Sequence, residues 1–222
     1  MMMANKGSLR TLRPSTEQRF IVPVKKINEG PDVSTFLISQ AYTDIMTFLM
    51  QLNHAMFPTV ADPEDERTGS AQQHMCPDES LFSDTVQRLR NLLDDLEKLI
   101  VEYPPDPGPR RFGNLSFRKW HEAVGTRTPA MLRAYVPLDS LSVRSEGKTT
   151  PYDELESYLL GSFGSAERLD YGTGHELSFL AFLGCIWKLG GFQRQDVDMR
   201  VEEKNIVLGI IEPYVRVLLQ KP

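Results

Sequence analysis

The chain has 222 residues, a formal net charge of −5, and 41% apolar and 25% charged residues. These proportions are those of ordinary globular proteins and argue against a disordered or membrane class, while basic runs only two residues long (Lys25–Lys26, Arg110–Arg111) argue against a nucleic-acid binder. Cys76 and Cys185 are the only cysteines, too few for a disulfide framework or a zinc set. With no apolar leader and no apolar stretch long enough to span a bilayer, the expected location is the cytoplasm or the nucleus, away from membranes.

In chain order, residues 1–19 are polar, lack periodicity and contain Pro14, which predicts a disordered tail. Phe20 to Val24 reads as an extended apolar anchor, because Pro23 restricts the residue before it. From Pro31 and Asp32 a helix is expected, with Ile38, Ala41, Ile45, Phe48 or Leu49, and Leu52 turned inward. Residues 57–77 form a polar loop containing Pro58, Pro63, Gly69 and an acidic run at 62–66. Asp78 is a suitable cap for a helix carrying Leu81, Val86, Leu89, Leu92 or Leu93, Leu96 and Ile100, which must stop at Tyr103 before Pro104 and Pro105.

Phe117, Trp120 and Val124 share one face of a short helix, and a separate packing segment is expected around Met131 to Val136. After a polar loop at 140–149, Thr150, Pro151 and Asp153 make a helix start close to a capping box, with Leu155, Tyr158, Leu159 and Phe163 buried and Gly164 as the stop. The segment after Glu176 has almost no polar face and ends at Gly190 and Gly191; it should be surrounded by other elements. A last helix is expected from Asp196 to Leu219, kinked at Pro213. No stretch alternates with period two, so the expected fold is all-α, a single helical domain over 20–222.

The densest chemistry lies in Arg168, Leu169, Asp170, Tyr171, Gly172, Thr173, Gly174, His175 and Glu176, at the entry to the most apolar helix. Two readings stand side by side. The N–H groups around Gly172 and Gly174, the Thr173 hydroxyl and the Arg168 guanidinium would suit an anion, with the glycines freeing the backbone for unusual dihedrals. Equally, the segment is a helix-entry turn braced by an Arg168–Asp170 pair. It is not a Walker loop, since no lysine follows the second glycine. His175 and Glu176 are adjacent and diverge by about 100° on a helix, so no metal site is assigned. The four histidines (His54, His74, His121, His175) are scattered and no catalytic residue emerges.

The order of Ser39-Gln40-Ala41-Tyr42, the proline-rich approach from Pro104 to Pro109, Arg111-Phe112-Gly113-Asn114, the run from Arg168 to Glu176 and the apolar helix after it resembles the phosphotyrosyl phosphatase activator (PTPA) family. The resemblance covers about residue 20 to the end, and Leu169 to Glu176 is its most specific part. It implies an all-helical fold with core, linker and lid parts that binds the catalytic subunit of phosphatase 2A and promotes its active state with ATP and magnesium. It also implies peptidyl-prolyl cis/trans isomerase activity on a proline-containing peptide. The positions matching the family's nucleotide-binding residues are Arg168, Thr173 and Gly174. The family's magnesium-associated segment would follow Leu219, so the resemblance implies a C-terminally shortened chain with half an ATP site, and a final helix whose Ile206, Ile210 and Leu218 lack partners. The alternative is a non-enzymatic phosphatase-binding adaptor without a complete ATP site.

Overall fold

The computed structural model describes residues 7–12, 17–57, 79, 82–108, 114–136, 138, 144–145, 147–169, 171–192 and 198–222. Its helices are α1 (Gly30–Leu37), α2 (Gln40–Ala55), α3 (Asp84–Glu102), α4 (Ser116–Tyr135), α5 (Pro151–Gly161), α6 (Thr173–Lys188), α7 (Met199–Ile206) and α8 (Glu212–Gln220), with a π-helical turn at Val207–Ile211 joining the last two. The fold is all-α as expected; the extended pairing among the described residues is a two-residue parallel bridge between Glu17–Gln18 and Arg144–Ser145. Neighbours close a ring, α6 on α5, α5 on α4, α4 on α3, α3 on α8 and the π turn, then α7, α2 and back to α6. The core fills its inside, with Phe48, Leu89, Leu96, Trp120, Leu155, Phe163, Phe182 and Ile186 fully buried.

Several boundaries differ from the expected ones. The single helix expected from Pro31 is broken into α1 and α2, because the Ser39 hydroxyl accepts the Tyr42 N–H and starts a new helix. Ile38, expected to face inward, sits at the break and is 86% exposed. The expected cap Asp78 and Leu81 lie outside the described residues; α3 instead starts after Ser83, whose hydroxyl accepts from Val86 N–H. Phe117 to Leu132 lie on one helix of 20 residues, not two segments. Pro129 inside it removes a ladder bond, yet Phe117, Trp120, Val124, Thr128 and Leu132 stay buried in one stripe across it. Burial of that stripe outweighs the local proline penalty.

The N-terminal expectations also need correction. Within the segment read as a tail, Leu9 is 6% exposed, its N–H donates to Gln51 Oε1 (2.8 Å) and its carbonyl accepts from Trp187 Nε1 (2.8 Å). The apolar anchor reduces to Phe20, since Ile21, Val22 and Val24 are exposed. Beyond Phe57, the expected polar loop lies outside the described residues, as do Arg110 to Gly113.

The start of α5 matches its signature. The Thr150 hydroxyl accepts from Asp153 N–H while the Asp153 carboxylate accepts from Thr150 N–H (2.6 Å), a reciprocal cap, and Gly164 turns the chain with φ +116°. The last helix is continuous from Met199 to Gln220, as expected, with a π turn inside it. α7 starts after Asp198, whose side chain accepts from Arg200 N–H, and the wider π turn precedes Pro213. A Cβ on Gly209 would stand 2.7 Å from Val86 Cγ1 and 3.0 Å from Phe82 Cζ, so this glycine lets the π turn close onto α3 and the residues before it. Ile206 and Ile210, expected to lack partners, are fully buried, and Leu218 packs against the core.

Candidate nucleotide loop

The loop from Arg168 to Glu176 joins α5 to α6 at one end of the ring. Gly172 is the residue before the first turn of α6 (φ −145°, ψ 170°) and supplies no side-chain cap. His175 N–H donates back to Gly172 O (2.9 Å), while the amides of Thr173 and Gly174 have no hydrogen-bond partner among the described residues. The positive end of a 16-residue helix dipole lies here. A Cβ built on Gly172 or Gly174 meets nothing within 4 Å, and neither glycine has positive φ. The expectation that these glycines serve unusual dihedrals is therefore corrected: any residue could adopt this backbone, and what glycine leaves is an unobstructed approach to the amides.

Among the described residues of the loop, Leu169 is left-handed (φ +54°), a conformation that costs a branched side chain energy and that the surrounding bonds must hold. Leu169 N–H donates to Ser165 O (2.8 Å), Arg168 N–H donates to Ser165 Oγ (3.2 Å), and the Leu169 side chain packs against the core. From α4, the Arg118 guanidinium donates to Ala166 O (2.9 Å) and Glu167 O (3.2 Å). On the α6 side, His175 Nδ1 lies 2.6 Å from Gly161 O. A carbonyl only accepts, so Nδ1 carries the hydrogen. Tyr171 stacks on the His175 ring (5.3 Å between centroids, 25°) and its hydroxyl lies 3.4 Å from that of Tyr214. Tyr214 in turn donates to Ser162 O (2.8 Å) and stacks on Phe179 (3.7 Å, 4°); burial holds its phenol far above the ordinary range.

Arg168, Thr173 and Gly174 are all exposed, Arg168 ahead of α6 and the other two in its first turn. Asp170, and with it the Arg168–Asp170 pair, lies outside the described residues. The supports Arg118, Tyr171, His175 and Tyr214 escaped sequence reasoning as a set. Arg118 and Tyr214 are distant in sequence, and only Tyr171 and His175, four apart, carried a local signal. Among the described residues no three His, Cys, Asp or Glu side chains group as a metal site, and no helix is long and apolar enough to cross a membrane.

An all-helical ring carrying an open, glycine-lined helix entry is the class the geometry defines. The model of the family described as Phosphotyrosyl phosphate activator (PTPA) protein matches residues 23–220, and the chain belongs to this family. It is 50% identical over 223 residues to serine/threonine-protein phosphatase 2A activator 1 of Aspergillus fumigatus, covering 97% of this chain and 46% of that protein. Similarity to serine/threonine-protein phosphatase 2A activator 1 of Saccharomyces cerevisiae is 37% over 173 residues, 78% of this chain and 39% of that one. Among solved structures, the crystal structure of the PP2A phosphatase activator Ypa1 (PTPA1) matches with a TM-score of 0.67 at 30% identity, over 96% of this chain and 59% of that chain. The chain thus spans about half the length of the curated relatives it matches.

Proposed function

We propose that this chain acts as an activator of type 2A serine/threonine phosphatase, binding the catalytic subunit and using ATP with magnesium, and that it is a peptidyl-prolyl cis/trans isomerase. The observation that carries the nucleotide part is the open helix entry at Gly172 and Gly174, with two amides free of partners among the described residues. The residues fit a phosphate: amides of Thr173 and Gly174 donate to it, the Thr173 hydroxyl adds a bond, the α6 dipole favours its charge and Arg168 supplies a guanidinium. Magnesium enters with the phosphates, whose charge it offsets.

Isomerisation needs no nucleophile. The barrier to X–Pro rotation is about 18–20 kcal/mol, and a desolvated groove that favours the twisted amide lowers it by differential binding. Saturating ATP with magnesium is expected to raise the melting temperature of the intact chain by about 5–10 °C, the shift for ligand at a hundred times its Kd. No shift would overturn the nucleotide site. A prolyl-peptide isomerisation assay checks the enzyme: acceleration over the uncatalysed rate supports it, and a flat rate with phosphatase binding retained leaves the adaptor.

A further inference from the structure

One cation at the site is unexplained by the residues assigned so far. Lys221, just after α8, places its Nζ 4.0 Å from the centroid of the Tyr171 ring and 5.2 Å from that of Phe117, and donates to Phe163 O. Among the described residues it forms no ion pair, and burial alone lowers its pKa to about 8. An ammonium held by two ring faces and a carbonyl is a geometry that a cation–π clamp explains. The same Tyr171 ring is stacked on His175 in the first turn of α6, whose Nδ1 is tied to Gly161 O at the end of α5. Lys221, Tyr171 and His175 therefore form a stack leading from the end of α8 to the turn that presents Thr173 and Gly174.

We propose that Lys221 is a positioning residue for the nucleotide loop: its ammonium clamps Tyr171 against His175 and so holds the Gly172–Gly174 amides in their open arrangement. This rests on the nucleotide reading above. Against Lys221 lie Phe117 from α4, the Phe163 carbonyl after α5 and the Tyr171 ring ahead of α6, and its charge reaches His121 on α4; Tyr171 in turn meets His175, Glu176 and, from α8, Tyr214. Burial, with help from Lys221 and His175, pushes His121 below its ordinary value, and burial pushes Tyr171 and Tyr214 above theirs. Lys221 loses its charge as pH rises through about 8.

The test compares the intact chain with Lys221→Met and Lys221→Arg, using ATP–magnesium titrations and hydrogen exchange of the amides at 172–175. Lys221→Met is expected to weaken ATP binding about five- to tenfold, the scale of one cation–π contact, and to speed exchange at 172–175 without changing the melting temperature by more than a degree or so. Lys221→Arg should keep the affinity. Wild-type affinity should fall between pH 7.5 and 9, where the nucleotide phosphates stay fully ionised, while Lys221→Arg stays flat. Equal affinity and exchange in Lys221→Met would overturn the clamp even with ATP bound normally. Faster exchange in Lys221→Met when the wild-type chain binds no ATP is a different failure: the clamp would stand and the nucleotide role would be lost. A profile shared by wild type and Lys221→Arg would also overturn it, by removing the lysine from the titration.

Discussion

Gly174 and Gly209 are the same residue for opposite reasons. At Gly174 a side chain meets open solvent, whereas at Gly209 it runs into Val86 and Phe82. Gly209→Ala is therefore expected to cost about 1–3 kcal/mol through overpacking, read as a lower denaturant midpoint. Gly174→Val should leave stability within about 0.5 kcal/mol while reducing ATP affinity at least tenfold, because the branched side chain covers the amides. Equal stability losses for the two would show that the open glycine is a structural turn after all. The open approach at Gly174 was legible in the sequence, and the packing role of Gly209 was not. The packing partners of Gly209 lie more than a hundred positions earlier in the chain. Gly174 was read as a source of conformational freedom that its backbone does not use.

Among the elements, what could be read locally was read well. The start of α5 carries its whole signature within four residues, Thr150 to Asp153, and the reciprocal cap is present. That cap has a pH signature. Bonds from Thr150 N–H and its hydroxyl hold the Asp153 carboxyl below its ordinary 3.8, so its contribution is present at neutral pH and is lost as pH falls through the lowered value. Thr150→Ala is expected to cost about 0.5–2 kcal/mol at pH 7, and its deficit relative to wild type should shrink as pH falls through the lowered value of Asp153 in urea unfolding curves. A deficit constant from pH 7 to pH 2 would assign the effect to packing instead. Boundaries decided by distant partners were not legible. Ser39 looked like one residue of a continuous amphipathic run, and the segment around Met131 to Val136 was read apart from the helix of Phe117, Trp120 and Val124, but α4 buries one stripe on α3 and α5 straight through Pro129. Tyr152 shows the same dependence: its hydroxyl accepts from Leu138 N–H and donates to Val136 O, tying the exit of α4 to the second residue of α5.

For the molecule as a whole, the all-α fold followed from the absence of alternation and from the apolar run that became α6 at the centre of the core. Membership in the PTPA family was legible because Leu169 to Glu176 is a local string. Its three-dimensional support, Arg118, Tyr214 and Lys221, was not, because the ring brings α4 and α8 beside it only after folding. The helix expected to lack partners proved to close that ring: α8 and the π turn pack on α3, and α7 packs on α2. The described helices therefore present the loop ahead of α6 on a closed ring. The most direct measurement is retention of a type 2A phosphatase catalytic subunit on the immobilised intact chain, with and without ATP and magnesium, for wild type and Gly174→Val. Retention that rises with ATP in wild type, and loses that rise in Gly174→Val, is the expected result; no retention, or equal ATP-independent retention by both, would contradict it.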